Sequence, residues 1–176
     1  MHTRIWRTAV VVALAFLTAA AVEHPPRPGD EGVFYGPLVR VKDGDSLVAK
    51  VQGVAMEFRL AEIDAPERDQ PYGQQAKQEL VSLAKGQQLV MRPVDTDSYG
   101  RTVAHIWNGT AYLNEEMVKR GGAWFYSKYA ATETLYYVEQ QARDAKRGLW
   151  ALPLKDRIEP WEWRKRKHPR NRRGSD

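Results

Sequence analysis

The sequence predicts an α+β domain, a small closed antiparallel β-barrel with helices packed on it, and three observations lead there. Five short segments of loosely alternating hydrophobicity are separated by turn signals. Helical stripes fall between and after them. The chain has 176 residues, 43% hydrophobic and 28% charged, which suits one domain with its own core and excludes both a disordered chain and a polytopic membrane protein.

Taken in order, residues 23–32 (EHPPRPGDEG) hold three Pro and two Gly and read as a linker. Leu38-Val39-Arg40-Val41 is a strand that stops at the turn Lys42-Asp43-Gly44-Asp45. Residues 47–51 form a second strand, turned by Gln52-Gly53. In the third, Val54, Met56, Phe58 and Leu60 share one face while Glu57, Arg59 and Glu62 break up the other. The chain breaks at Asp64-Ala65-Pro66-Glu67 and again at Gln70-Pro71-Tyr72-Gly73. A helix over 74–85 follows, because Ala76, Leu80, Leu83 and Ala84 fall at i, i+4, i+7 and i+8, and Gly86 suits its C-terminal cap. Residues 88–94 and 102–107 are two more strands, with Asn108-Gly109 as a tight turn. A short helix over 114–120 is expected to take Asn114 as its N-cap and Gly121 as its stop. A longer one over 132–147 carries the stripe Leu135, Val138, Ala142 and Ala145, ended by Gly148. Trp161 and Trp163 are expected to pack the chain end back onto the barrel.

Residues 1–21 read as an export signal. Arg4 and Arg7 form a basic start, 9–21 is apolar apart from Thr18, and Ala19-Ala20-Ala21 offers a cleavage site. A short uncleaved anchor is the alternative; both place the domain outside the cytoplasm, periplasmic or secreted. The expected organisation is a signal over 1–21, a linker over 22–33, the folded domain over 34–163 and a basic tail over 164–176. The net charge of +5 divides along these lines. Residues 1–21 carry +2 and residues 155–176 carry +5, whereas 22–154 hold 16 basic and 18 acidic residues. Seven of the ten residues over 164–173 are basic and none is acidic. Such a run is either a solvated end or an accessory contact to nucleic acid or anionic lipid.

The absence of cysteine excludes disulfides, thiolate metal sites and cysteine nucleophiles. His2, His24, His105 and His168 are not spaced as a zinc pair. Residues 95–106 fail as a calcium-binding helix-loop-helix, because Ile106 stands where the bidentate Glu is required. Acids and arginines around turns remain. Singly, each is an ordinary turn. Together they have a chemical logic. Asp45 and Asp64 are hard oxygen ligands at strand ends, of the kind Ca²⁺ or Mg²⁺ accepts. Glu67, across a Pro-fixed bend, can hold a water beside such an ion, and Arg59 and Arg101 can clamp a phosphate bidentately. That is a phosphodiester-hydrolysing set.

The strings RVKDGDSL, FRLAEIDAPE, QPYGQQA and DSYGRTVA, in that order, with GLWALP and PWEWR at the end, closely resemble staphylococcal nuclease and its thermonuclease-like bacterial relatives. The resemblance spans about 34–163. It implies a five-stranded barrel of the oligonucleotide-binding (OB) type with about three helices, and an endonuclease-type phosphodiesterase acting on DNA, RNA or both. It implies that Asp45, Asp64 and the carbonyl of Ala65 hold Ca²⁺, with Mg²⁺ or Mn²⁺ as alternatives. It implies that Glu67 is the general base, that Arg59 contacts the scissile phosphate, and that Arg101 stabilises the transition state. Tyr99 would contact the substrate's phosphate or sugar, and Asp43 would stand behind the ligands. Ser46 replaces the family's usual Thr and keeps the hydroxyl; Ser98 stands where a basic residue is common. Trp124, Phe125, Tyr126 and Tyr129 are candidates for a nucleotide platform. No protein partner is implied and a monomer is expected. The alternative is a non-catalytic nucleic-acid-binding or scaffold module on the same fold.

Overall fold

A computed structural model describes residues 25–27, 30–86, 88–130 and 133–167. Residues 1–21, read as an export signal, and residues 168–176 of the expected basic tail lie outside the described residues. Strands β1 (Phe34–Val41), β2 (Ser46–Val51) and β3 (Val54–Leu60) form the expected meander. A two-residue strand β4 (Ile63–Asp64) leads through the Pro66 bend into helix α1 (Gly73–Ala84). Strands β5 (Gln88–Thr96) and β6 (Thr102–Asn108) follow, then β7 (Ala111–Tyr112), helix α2 (Leu113–Lys119), β8 (Trp124–Phe125) and helix α3 (Thr134–Asp144). After two short 3₁₀ turns, helix α4 (Pro160–Lys167) ends the described chain.

The strands run in the order β3-β2-β1-β5-β6, and β6 returns to pair with β3, so the sheet closes into a five-stranded barrel. Four of the five pairings are antiparallel and the closing β3–β6 pair is parallel. The expectation was an antiparallel barrel. The parallel seam is a matter of parity: an odd number of strands cannot alternate direction all the way round a ring. Bulges between Leu38 and Arg40 and between Pro93 and Asp95 supply the local bending that closure of so few strands requires.

The barrel interior is filled by Leu47, Phe58, Leu60, Leu89, Met91 and Ile106, and α1 closes it with the predicted stripe Ala76, Leu80, Leu83 and Ala84. A second, aromatic cluster lies beside it. Trp124 meets Trp150 edge-on at 4.4 Å between centroids, Arg143 covers Trp150 at 4.0 Å, and Trp161 of α4 joins at the edge.

Two expectations are corrected. Asn114 does not cap α2: the helix begins at Leu113 and Tyr112 takes the capping position. The Asn114 side chain is instead fully buried, accepting from the Ile106 N–H and donating to the carbonyls of Ala61 and Ala104. Buried backbone groups at a barrel end must find partners, and satisfying them outweighs a cap that water can replace. The basic residues 164–167, read as the start of a tail, are the last turn of α4, because Pro160 at the first helical position and the aromatic anchor Trp161 extend the fold to Lys167.

Candidate active site

The turn at 42–45 comes to lie against α1 because position 44 is glycine: a Cβ there would stand 2.6 Å from the Ala65 Cβ and 2.8 Å from the Ala76 Cβ. This close approach brings Asp45, at the start of β2, beside Asp64 at the end of β4. Gly73 plays the same part for the next loop. A side chain on it would collide with the Glu67 carbonyl, so glycine lets the 65–70 loop fold tightly onto the start of α1. Gln70 fixes that loop by accepting from the Glu67 N–H at 3.1 Å.

The structure brings Asp43, Asp45, Arg59, Asp64, Ala65, Glu67, Tyr99 and Arg101 to the lining of one open cleft of about 850 Å³. Arg59 projects from β3 between two carboxylates. Its Nη2 donates to Asp45 Oδ2 at 3.2 Å and to Asp64 Oδ1 at 3.1 Å, while Nη1 donates to the Leu60 carbonyl. The Ala65 N–H also donates to Asp45 Oδ2, at 3.1 Å. Ser46 links the second arginine to this group. Its hydroxyl donates to Asp45 Oδ1 at 2.8 Å and accepts from Arg101 Nη1 at 3.1 Å. Asp97 orients the Arg101 guanidinium from behind, accepting from its Nε at 2.7 Å. Tyr99 is 83% exposed at the cleft rim, its ring under the Arg101 guanidinium at 5.5 Å.

The acids differ in environment. Burial alone would push Asp45 up, but the Arg59 charge, the Ala65 N–H and the Ser46 hydroxyl outweigh it and hold its carboxyl below the ordinary value. Asp64 ends above its ordinary value, because burial and the Asp45 charge outweigh its guanidinium partners. Asp43, pressed by burial and by the neighbouring Asp45 charge, is pushed up to about 7. A carboxyl raised in the folded state favours folding only while protonated. That contribution is complete below the unfolded value near 4 and is lost as pH rises through 7. Asp43→Asn, neutral at every pH, is therefore expected to leave the cation-free protein nearly unchanged at pH 4 and to stabilise it by about 4 kcal/mol at pH 8. Urea midpoints at the two pH values in chelator measure this; equal midpoints at pH 8 would contradict it.

Two buried carboxylate oxygens converging on a single cationic nitrogen, Arg59 Nη2, form the donor chemistry of a hard divalent cation. Among the described residues no three His, Cys, Asp or Glu side chains are gathered as a ready cage, so such an ion would complete its shell from carbonyl and water oxygen, as Ca²⁺ and Mg²⁺ do.

Of the platform candidates, Trp124 is buried in the aromatic cluster. Tyr126 lines the cleft and stacks on Trp161 at 5.0 Å and 10°. The Tyr129 side chain lies outside the described set. One cleft residue was missed from the sequence. Arg164 of α4 donates to both oxygens of Asp64, at 3.1 and 2.6 Å, and to Glu67 Oε1 at 2.7 Å. Its signal was the spacing Trp161 to Arg164, one turn of one helix face, hidden inside a run dominated by basic composition.

Comparison with known proteins gives a family model described as staphylococcal nuclease homologue, matching residues 57–152. A micrococcal nuclease of Shigella flexneri is 35% identical over 143 residues, covering 75% of this chain and 81% of that protein. A protein named uncharacterized endonuclease from Escherichia coli O157:H7 is 36% identical over 134 residues, covering 76% of this chain and 86% of the relative. A probable staphylococcal-like nuclease of Oryza sativa is 38% identical over 124 residues, 70% of this chain. The chain spans 36% of the length of that plant relative and 32% of one from Capnoides sempervirens.

Proposed function

The chain belongs to the staphylococcal nuclease homologue family, and from that premise we propose that it is an exported, Ca²⁺-dependent nuclease hydrolysing the phosphodiester bonds of DNA, RNA or both. The observation that carries this reading is the convergence of Asp45 and Asp64 on one cationic position, with Glu67, Arg59 and Arg101 around the same cleft. Asp45, Asp64 and the Ala65 carbonyl would hold the cation. When bound, it supplies positive charge against which a phosphate oxygen is drawn in and the transition-state charge is stabilised.

The chain's own residues do the rest. Glu67 takes the proton of an attacking water, for which its position on a fixed loop at the open face of the cleft suits it. Arg59, held by its Nη groups between the carboxylates and the Leu60 carbonyl, would present its remaining guanidinium edge to the scissile phosphate. Arg101, pre-aimed by Asp97 and Ser46, meets the charge that grows on the phosphoryl oxygens and costs little reorganisation in doing so. Tyr99 at the rim contacts the phosphate or sugar of the incoming strand. The export reading rests on residues 1–21.

The test is cleavage of single-stranded DNA and of RNA by the purified chain with Ca²⁺, with Mg²⁺ or Mn²⁺, and with a chelator. Cleavage is expected with Ca²⁺ and its loss, by more than about 100-fold, in the chelator. Undiminished cleavage in the chelator would sink the cation's role. Binding without cleavage under any cation would favour the non-catalytic module.

A further inference from the structure

Arg164 reaches the site from the far end of the chain, on a helix that is firmly seated. Pro160 is buried, Trp161 stacks on Tyr126, and Gln70 donates to the Ile158 carbonyl just before α4 begins. The Trp163 indole N–H adds a longer bond to Asp69 Oδ1, and Lys167 pairs with the same carboxylate. The guanidinium is thus delivered into the cleft by packing rather than by a loose tail.

Its partners are the two acids to which the nuclease reading gives separate tasks. Both Asp64 oxygens accept from Arg164, and Asp64 Oδ1 also accepts from Arg59, so three of about four lone-pair positions on that carboxylate are engaged. Glu67 Oε1 is engaged as well. A cation at Asp64, and a water at Glu67, each need an oxygen that Arg164 now holds. Arg59 is tied to Asp45 and to the Leu60 carbonyl in addition, whereas the hydrogen bonds of Arg164 among the described residues go to these two acids. Arg164 is therefore the guanidinium that gives way. Its side chain is 42% exposed, so it can move without unpacking Trp161. Once a doubly charged ion stands at Asp64, the ion repels the guanidinium, and the nearest new anion is the phosphate the ion attracts.

We propose that Arg164 is a phosphate-contacting residue of this cleft, which holds the Asp64 oxygens needed by the cation and the Glu67 oxygen needed by the water until cation and nucleic acid enter together. The assignment rests on the nuclease reading for the identity of its ligand, a phosphodiester backbone. It explains why a residue of a basic run is folded into an acid cluster: the same positive charge balances the acids at rest and the phosphate when the site is loaded.

The experiment uses the whole chain, in wild type, Arg164→Ala and Arg164→Gln forms. Gln keeps two N–H donors and so keeps a tie from α4 to the loop, and near-ultraviolet circular dichroism of the stacked Trp161 reports that α4 stays docked. Calorimetric titration with Ca²⁺ in the absence of nucleic acid is expected to show about tenfold tighter binding in both variants, since nothing need be displaced. At saturating Ca²⁺, fluorescence anisotropy with a phosphorothioate thymidine decamer, which resists cleavage, is expected to show about tenfold weaker binding in both. Equal or weaker Ca²⁺ affinity in the docked variants would overturn the displacement, and an unchanged decamer affinity would overturn the phosphate contact. If the wild type binds Ca²⁺ and decamer yet leaves native DNA uncut, the nuclease reading fails while the assignment of Arg164 stands.

Discussion

Glu67→Gln is expected to slow phosphodiester cleavage by about 10³-fold, and Arg101→Ala by about 10²- to 10³-fold, with neither change costing much stability. Glu67 is 36% exposed and, among the described residues, its side chain pairs with Arg164 alone, so amide for carboxylate removes a base without leaving a buried hole. The amide still accepts a hydrogen bond but cannot take a proton. The loss should fall on kcat and on kcat/KM alike, as for a group needed only in the transition state. Arg101 differs in mechanism. Its donors are already aligned by Asp97 and Ser46, so truncation removes a prepaid orientation along with the charge. Steady-state rates on a single-stranded oligonucleotide, beside thermal midpoints, check both. A Glu67→Gln rate within about threefold of wild type would remove that residue from the chemistry.

Asn114→Ala is expected to damage the fold severely for a polar residue, at about 4 kcal/mol. The side chain satisfies the Ile106 N–H and two carbonyls, those of Ala61 and Ala104, inside a region from which water is excluded. Truncation strands a buried donor and the Ala61 acceptor, each costing about 1–3 kcal/mol. The Ala104 carbonyl keeps a partner in the Ala61 N–H, which softens that part of the loss. Against a total stability of about 5–15 kcal/mol this is a large fraction, and for a domain of this size it corresponds to a thermal midpoint lower by about 8–16 °C. Differential scanning calorimetry of the two proteins measures it. A cost below about 1 kcal/mol would mean that water reaches these groups after all.

How much of this was legible in the sequence differs by element, and for physical reasons. The alternation of Val54, Met56, Phe58 and Leu60 and the stripe of Ala76, Leu80, Leu83 and Ala84 announced β3 and α1, because each buries one face and the periods differ. The gathering of Asp45, Arg59, Asp64, Glu67 and Arg101 in one cleft was anticipated by chemistry and resemblance together, since hard oxygen donors and guanidinium groups at turns share few other uses. Asn114 was misjudged because asparagine before a helix usually caps it, and only the folded barrel reveals the buried backbone groups waiting for its amide. Arg164 was missed because seven basic residues in ten speak of solvent, whereas a single helical turn from Trp161 decides where one of them goes. The parallel seam leaves no local mark at all; it follows from counting strands.

That seam has a kinetic meaning. Arg59 and Arg101 lie 42 residues apart in the chain, and the pairing that sets them side by side is the β3–β6 register, in which Phe58 faces Thr102 and Arg59 faces Val103. The β1–β2–β3 meander and the β5–β6 hairpin can each form from sequential neighbours and still leave these two arginines separated. Contacts of such long sequence span form late, since loop closure must precede their reward. A nascent chain emerging from the ribosome would therefore carry nearly every group of the cleft and yet have no cleft. Hydrolytic power would arrive only when the ring shuts, and α4 would then add Arg164 as the last piece to dock.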